Sequence, residues 1–189
     1  MRLNTIAFGA LCVLASVFAS ASELSDKLKT ADYVLLMRHT LAPGVGDPAH
    51  YTLDDCKTQR NLSALGRQQA TAVGHWLRKQ GIQSAEVHAS AWCRCKDTAE
   101  LLKFEGYKVE PALASFFDDM QQAPIQNQAL QRFISAKRHT KGSKALILVT
   151  HHVNIQEFSG ENVASGDMVL ARVDASGKMT AHQVIPRPD

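Results

Sequence analysis

The chain of 189 residues is 45% hydrophobic and 21% charged, proportions that are ordinary for one globular domain with a substantial core. Its formal net charge of +3 gives no strong electrostatic attraction to nucleic acid. The sequence contains no basic stripe interleaved with aromatic residues and no zinc-finger spacing, so we expect no nucleic-acid partner.

The first 21 residues have the organisation of a secretory signal peptide, with a positive start at Arg2 and a small-x-small cleavage site at Ala19-Ser20-Ala21. Between them, Ile6–Phe18 is an apolar run that is too short to span a bilayer. We therefore expect cleavage after Ala21, a mature domain over residues 22–189, and a periplasmic or secreted protein with no stable membrane span. A lipoprotein signal that uses Cys12 is the alternative, but the residue before this cysteine is too large for the usual lipoprotein pattern.

The mature chain begins with a weakly periodic segment, Ser22–Ala31, which predicts a short helix or arm. The apolar run Tyr33–Met37 predicts a buried strand, and this strand ends on Arg38 and His39. Segment 41–61 contains several prolines and glycines and predicts a long loop. Because loops of this length in compact domains are usually functional or disordered, we expect this one to contribute to a site.

Helices and strands alternate along the rest of the chain. Ser63 is a favourable N-cap for a helix that ends near Gly81. The later elements are predicted as strand Ala85–Ala89, helix Arg94–Phe104, strand Tyr107–Val109, helix Ile125–Arg138, strand Ala145–Thr150 and a hairpin of Met168–Val173 with Met179–Ile185. This alternation predicts a three-layer α/β fold in which a mostly parallel sheet carries helices on both faces, with the wholly apolar strand Ala145–Thr150 at its centre.

Three cysteines remain after the predicted cleavage: Cys56, Cys93 and Cys95. An oxidising compartment favours one disulfide and leaves one thiol free. Because Cys93 and Cys95 are nearly adjacent, Cys56 is expected to pair with one of them, and Cys95 is slightly favoured since Cys93 lies closer to the preceding strand. A metal site built from Cys-x-Cys and histidines is the alternative, although the spacing fits no common zinc pattern.

Arginine and histidine side chains follow three of the predicted strands. Arg38 and His39 follow the first strand, Arg94 follows the second after a short turn, and His151 follows the central strand. Since ligands bind at the carboxyl ends of the strands in an open α/β sheet, we expect these side chains to meet at one edge. Two arginines can grip the oxygens of a phosphoryl group with bidentate geometry, and a neutral histidine can attack its phosphorus.

Four short motifs occur in order along the mature chain. They are Arg38-His39-Thr40, the Leu-Ser-Ala-Leu-Gly-Arg-Gln-Gln-Ala run at 62–70, the Ser-Ala-Trp-Cys-Arg-Cys-Lys-Asp-Thr-Ala run at 90–99, and Val149-Thr150-His151. Their order and residue types resemble the histidine phosphatase superfamily, also called the phosphoglycerate mutase-like family, over nearly all of the mature chain. The resemblance implies a phosphoglycerate mutase-like fold.

The resemblance also implies roles for the residues that match the motifs. His39 is the nucleophile that carries the phosphoryl group, Arg38 and Arg94 hold its oxygens, and His151 supports them. Water then hydrolyses the phosphohistidine, and no metal or other cofactor is expected. Further phosphate-binding candidates come from the long loop, where family members place polar groups: Arg60 and Asn61.

The sequence departs from the family pattern at three positions. Thr40 replaces a glycine and is expected to narrow the space beside the nucleophile, and His152 stands where a glycine is common. Ser115 occupies the position where the family usually places a proton-donating acid. Asp118 and Asp119 are the natural substitutes as catalytic acids, and without a donor the enzyme would favour substrates with good leaving groups.

We therefore expect an exported phosphomonoesterase, a phosphatase of the histidine acid type, that acts on a small-molecule phosphate ester. Similar small exported family members include phosphatases of lipopolysaccharide core sugars, so a cell-envelope sugar phosphate is one candidate substrate. The alternative is a catalytically weak or inactive member that binds phosphorylated ligands. A mutase is disfavoured by the predicted export, and nothing in the sequence specifies an oligomeric state.

Overall fold

The computed structural model describes residues 23–189. The predicted signal peptide, its cleavage after Ala21 and the lipoprotein alternative at Cys12 lie outside these residues. The helices are α1 (residues 23–29), α2 (Ala64–Lys79), α3 (Cys93–Leu101), α4 (Ala123–Thr140) and α5 (His152–Ser159). The strands are β1 (Tyr33–Arg38), β2 (Ala85–Ala89), β3 (Lys108–Val109), β4 (Ala145–Thr150), β5 (Met168–Val173) and β6 (Met179–Ile185). Within the described range, no helix has both the length and the apolar character needed to cross a membrane.

The six strands form one sheet in the order β3-β2-β4-β1-β5-β6. Strands β3, β2, β4 and β1 run parallel, and the hairpin of β5 and β6 adds to β1 in antiparallel pairing. Strand β4 lies between β2 and β1, and every one of its residues is buried, as its uninterrupted apolar sequence predicts. The predicted α/β fold with a mostly parallel sheet is confirmed.

Alternate residues of the central strands pack on opposite faces of the sheet. Leu35 and Met37 belong to a core that also contains side chains of α1, α2 and α3. Val34 and Leu36 belong to a second core that contains side chains of α4 and α5. Helices therefore cover both faces, and the three predicted layers are present.

The predicted ends of the strands agree better with the structure than those of the helices. Helix α3 begins at Cys93, one residue before the predicted start, and ends at Leu101 rather than Phe104. Helix α5 is not predicted from the sequence, because its eight residues are too few to show a clear 3.6-residue period. Since α5 begins directly after β4, it brings a second helix N-terminus to the edge of the sheet where α3 begins.

A disulfide joins Cys56 in the long loop to Cys93 in the first turn of α3. The expectation that Cys95 is the partner is wrong. Because α3 already begins at Cys93, positions 93 and 95 are separated by about 200° around the helix axis. Cys93 therefore reaches the loop, whereas Cys95 is buried with its Sγ 3.7 Å from the Thr150 carbonyl oxygen and is the free cysteine of the described range.

Reduction of the Cys56–Cys93 bond is expected to lower the melting temperature, because the bond joins residues 37 positions apart in the chain. In the chain-entropy model, a closed loop of this length contributes roughly 3–4 kcal/mol to stability. The measurement is thermal unfolding with and without dithiothreitol. The Cys56→Ser variant is the control, since its melting temperature should be low already and should not respond to the reductant. Equal melting temperatures for the oxidised and reduced wild-type protein would contradict this expectation.

Candidate active site

The carboxyl ends of β1, β2 and β4 meet at one edge of the sheet, as parallel strands require. His39 follows β1, Ser90 follows β2 and His151 follows β4. A cavity of about 210 Å³ lies at this edge. Four of the residues predicted from the motifs line it together: Arg38, His39, Arg94 and His151.

Backbone contacts on both sides hold the His39 segment in place. The N–H of His39 donates to the Thr150 carbonyl oxygen at 3.0 Å, which fixes it to the end of β4. The Leu41 carbonyl oxygen accepts the N–H of Ser63, the residue that caps α2, at 3.0 Å. This oxygen lies 2.1 Å from the position that a Cβ would occupy on Gly66. Helix α2 therefore reaches the segment after His39 only because position 66 carries no side chain.

His39 is a buried, neutral imidazole. It is 1% exposed, and its Nδ1 lies 2.8 Å from the Thr40 carbonyl oxygen. A carbonyl oxygen only accepts hydrogen bonds, so Nδ1 carries the proton and Nε2 carries the free lone pair. The pKa of His39 is lowered to about 3, and burial is the largest cause. The hydrogen bond to Thr40 raises this pKa, whereas the positive charges of Arg94, Arg38 and Arg60 lower it further. At neutral pH the Nε2 lone pair is therefore available for nucleophilic attack.

Arg38 and Arg94 are each anchored through one terminal nitrogen. Arg38 Nη1 donates to the Val163 carbonyl oxygen at 2.7 Å, and Arg94 Nη1 donates to the two carboxylate oxygens of Asp47 at 2.9 and 3.0 Å. Among residues 23–189, the Nε atoms of both arginines are buried without a hydrogen-bond partner. Because an unpaired buried N–H is unfavourable, these two groups are suited to the oxygens of an anion in the cavity.

His151 lies beside His39, with 5.5 Å between the ring centroids. Its Nε2 is 2.9 Å from Ser90 Oγ, and its Nδ1 is 3.5 Å from Arg94 Nη2. Burial, followed by the neighbouring His39 and Arg94, lowers the pKa of His151 well below its ordinary value. Both imidazoles are therefore neutral, and Ser90 fixes the orientation of the second one.

Of the two phosphate-binding candidates in the long loop, Arg60 lines the cavity and Asn61 does not. Arg60 Nε donates to the Gly46 carbonyl oxygen at 2.7 Å, and its Nη1 donates to the Ala42 carbonyl oxygen. These bonds hold the loop backbone around the cavity. Asn61 Nδ2 donates to carbonyl oxygens within its own loop, so its amide organises the loop instead of the site.

Of the two predicted acids, Asp118 lines the cavity and Asp119 does not. Asp118 is exposed, and the Tyr51 hydroxyl donates to its Oδ2 at 3.3 Å. Asp119 instead caps the short 3-10 turn Met120–Gln122 through its side chain. Ser115 also lines the cavity, so the position of the usual family acid is occupied by a hydroxyl group.

The two other departures from the family pattern have different consequences. Thr40 does not narrow the cavity, because its side chain is buried with its Oγ1 3.2 Å from Thr98 Oγ1. Thr98 in turn donates to the Arg94 carbonyl oxygen at 2.7 Å, so Thr40 links the segment after His39 to α3. His152, the first residue of α5, does line the cavity, with its ring centroid 5.7 Å from that of Phe117.

The sequence analysis missed two cavity residues, Asp47, whose side chain is buried, and Trp92, which is buried as a whole. The Trp92 indole N–H donates to Asp47 Oδ2 at 3.2 Å, and its ring centroid lies 5.1 Å from that of His151. Asp47 stands between Gly46 and Pro48, a setting that predicts a turn. Aspartates in turns are usually exposed, so no sequence signal indicated that this one is buried in an ion pair.

Two helices begin at the cavity and favour an anion there. The residues that cap α3 and α5, Trp92 and His151, make no side-chain capping hydrogen bond. N-terminal amides of helices attract negative charge, and three guanidinium groups line the same space. Fixed positive charge around a neutral imidazole is the arrangement that phosphoryl transfer requires. Among residues 23–189, no three His, Cys, Asp or Glu side chains are grouped as metal ligands would be.

The chain matches the sequence model of the histidine phosphatase superfamily, branch 1, over residues 34–131. This range includes more than half of the chain, with His39 and Arg94, and it ends before His151. No curated protein sequence matches the chain significantly.

Solved structures share the fold over most of their length. A protein histidine phosphatase SixA in complex with tungstate matches with a TM-score of 0.55 at 20% identity, over 82% of this chain and 96% of that one. A mycobacterial glucosyl-3-phosphoglycerate phosphatase matches with a TM-score of 0.54 at 16% identity, over 81% and 96% of the two chains. A phosphoserine phosphatase from Entamoeba histolytica, in complex with 3-phosphoglyceric acid, matches with a TM-score of 0.55 at 10% identity, over 74% and 89%. At these identities the likeness establishes the fold.

Protein stability is expected to fall as the pH is lowered from about 7 to about 5. The pKa of His39 is about 3 in the folded chain against 6.5 ordinarily, so the unfolded chain binds more protons between these values. One such histidine removes about 2 kcal/mol of unfolding free energy at the lower pH, and the lowered pKa of His151 acts in the same direction. The measurement is urea denaturation at both pH values. The His39→Gln variant should lose less stability than the wild type, and equal losses in the two proteins would contradict the assignment.

Proposed function

The chain belongs to the histidine phosphatase superfamily, and we propose that it is an exported phosphomonoesterase of the histidine acid type that acts through a phosphohistidine on His39. The setting of His39 carries this proposal. It is a neutral buried imidazole with a free Nε2 lone pair, in a cavity lined by three guanidinium groups. Fixed positive charge offsets the repulsion between a nucleophile and a phosphate dianion, so attack becomes feasible.

In the first step, His39 Nε2 attacks phosphorus while the bond from phosphorus to the ester oxygen breaks. Asp118, in its protonated form, gives its proton to the departing oxygen, so the alcohol leaves neutral. Asp118 is the candidate for this role because its carboxyl group lines the cavity that holds His39. The products of this step are the free alcohol, the phosphohistidine and the Asp118 carboxylate.

In the second step, water attacks phosphorus and the bond from phosphorus to Nε2 breaks. The Asp118 carboxylate takes a proton from the water, which restores both the acid and the free His39 imidazole. Inorganic phosphate is the second product. The Thr40 carbonyl oxygen, which accepts from His39 Nδ1 at 2.8 Å, holds the ring in one tautomer and one orientation through both steps.

Arg38, Arg94 and His151 are the residues that we assign to the oxygens of the transferring group. The two buried guanidinium Nε atoms have no partner within residues 23–189, and both arginines line the cavity with the nucleophile. Negative charge spreads over the equatorial oxygens as the phosphoryl group moves, so donors already in place lower the barrier without reorganisation.

The substrate that we propose is a small phosphate ester, with a cell-envelope sugar phosphate as one candidate. A cavity of about 210 Å³ suits a phosphoryl group with a compact alcohol. Export is supported by the signal-like sequence of residues 1–21 and by the Cys56–Cys93 disulfide, since such bonds persist in oxidising compartments. One structural neighbour is named as a glucosyl-3-phosphoglycerate phosphatase and another as a protein histidine phosphatase, so both substrate classes belong in a test panel.

A second candidate function is the capture of phosphorylated ligands without efficient turnover. The presence of Ser115 at the usual acid position favours this alternative. The two functions differ in their time course, because a weak enzyme releases product from p-nitrophenyl phosphate and a binding protein does not.

Replacement of His39 by alanine is expected to abolish turnover of p-nitrophenyl phosphate while the protein stays folded. The side chain lies beyond the end of β1, so its loss removes the nucleophile without opening the main core. Rapid quenching of the wild type with a radiolabelled ester should also trap acid-labile phosphate on the protein. The control is His75→Ala, which changes an exposed histidine outside the cavity. Substantial activity in the folded His39→Ala protein would contradict the proposed mechanism.

Replacement of Asp118 by asparagine is expected to slow the hydrolysis of alkyl phosphates by roughly 100-fold and that of p-nitrophenyl phosphate far less. A good leaving group departs without a proton, so the size of the effect should follow the basicity of the alcohol. The neighbouring Asp119→Asn variant is the matched control, because Asp119 lies outside the cavity, and it should leave both rates unchanged. A uniform loss for both substrates in Asp118→Asn would show that Asp118 is not the acid.

A further inference from the structure

Asp47 is a buried carboxylate that the proposed mechanism does not use. Its side chain is 3% exposed and that of its partner Arg94 is 4% exposed. Its oxygens accept hydrogen bonds from Arg94 Nη1 at 2.9 and 3.0 Å, from the Arg60 backbone N–H at 2.8 Å and from Trp92 Nε1 at 3.2 Å. A negative charge in a cavity suited to an anion weakens the attraction of that cavity for its ligand, so this carboxylate must serve the site in another way.

The contact with Asp47 uses only one of the three guanidinium nitrogens of Arg94. Both carboxylate oxygens share Nη1, which leaves the edge formed by Nε and Nη2. In a guanidinium these two N–H groups point in the same direction and match two oxygens of a phosphoryl group. Nε has no partner within residues 23–189, and Nη2 has a long contact of 3.5 Å to His151 Nδ1. Asp47 therefore fixes Arg94 while it leaves the phosphate-binding edge available.

Arg38 shows the same division of its guanidinium nitrogens. Its Nη1 donates to the Val163 carbonyl oxygen, and its Nε is buried without a partner in the described chain. Arg38 is only partly buried, so a neutral carbonyl group is a sufficient anchor. Arg94 is almost fully buried, and an opposite charge nearby offsets the cost of removing its guanidinium group from water and fixes its orientation. This difference explains why a carboxylate stands at Arg94 and a carbonyl group at Arg38.

We propose that Asp47 is a positioning residue that presents the Nε–Nη2 edge of Arg94 to the phosphoryl group. The inference rests on the proposed phosphatase function and adds a residue to its site. Asp47 itself touches neither the phosphorus nor the leaving oxygen and acts through Arg94. The opposite role is that of a competitor, in which the carboxylate occupies Arg94 and is displaced by the substrate phosphate.

The two roles predict opposite changes when the charge of Asp47 is removed. A positioning residue is needed for tight phosphate binding and fast turnover, so both decline in Asp47→Asn. A competitor hinders the phosphate, so affinity and kcat/KM rise in the same variant. Asn keeps the volume and one acceptor oxygen, and Asp47→Ala removes the anchor altogether, so the loss should be graded between the two variants.

The experiment measures the Kd of inorganic phosphate by calorimetry, together with kcat and KM for p-nitrophenyl phosphate. We expect roughly a tenfold or greater loss of phosphate affinity and of kcat/KM in Asp47→Ala, with partial retention in Asp47→Asn. Asp54→Asn is the matched control, because it removes an exposed acid from the same loop, and it should bind phosphate as the wild type does. Melting curves verify that each variant is folded, and Asp47→Asn carries the test if Asp47→Ala does not fold.

A double-variant cycle separates positioning from a general structural effect. If Asp47 acts only through Arg94, then Asp47→Asn has no further effect on phosphate affinity once Arg94→Ala is present. Independent, additive losses, unchanged affinity in Asp47→Asn, or tighter binding would each overturn the proposal. The phosphate measurement also stands when the wild type shows no turnover. In that case the proposed hydrolysis fails while the role of Asp47 in anion binding is still decided.

Discussion

The backbone pairing of β1 with β4 is the constraint on which the site depends. Their parallel register aligns Arg38 with Thr150, and the His39 N–H continues the ladder with a 3.0 Å hydrogen bond to the Thr150 carbonyl oxygen. Since both strands end here, His39 and His151 emerge side by side with 5.5 Å between their ring centroids. The ladder fixes the backbone on both sides, and the rings are oriented by the Thr40 carbonyl oxygen at His39 Nδ1 and by Ser90 Oγ at His151 Nε2.

The same edge of the sheet brings several positively charged side chains close together, an arrangement that does not by itself stabilise the fold. Arg38, Arg60 and Arg94 line one small cavity, and each lowers the pKa of His39. Guanidinium Nε atoms without a partner in the described chain are unfavourable for the folded state, and the buried histidines become unfavourable as the pH falls below neutral and the unfolded chain takes up protons. Such groups persist at functional sites when the surrounding structure offsets their cost, and here the apolar faces of the central strands do so.

The features that could be predicted from the sequence are those that depend on residues close together in the chain, such as an apolar run or a short motif. An apolar strand such as Ala145–Thr150 has no stable location except the centre of the sheet, and the motif residues at the strand ends follow from that. The partner of Cys56 depends on where α3 begins. The sequence predicted a start at Arg94, but the helix begins one residue earlier, at Cys93, and Cys93 instead of Cys95 faces the loop and pairs with Cys56. Asp47 was not predicted because its burial arises when a loop closes over a distant helix, and its neighbours in sequence predict an exposed turn.

The loop between β1 and α2 is held against α3 by a disulfide, a hydrogen bond and an ion pair, which all involve the first two residues of the helix. Cys56 is joined covalently to Cys93, the Cys93 N–H donates to Gln59 Oε1 at 2.9 Å, and Arg94 is paired with Asp47. Because Cys93 and Arg94 are neighbours in the first turn of α3, the disulfide holds the same loop that carries Asp47, the residue that orients the Arg94 guanidinium group. A reduced loop would still carry its charges, but it would hold them less firmly against the helix. Disulfides persist in oxidising compartments, so the proposed export would keep the loop that holds the proposed phosphate-binding edge of Arg94 joined to α3.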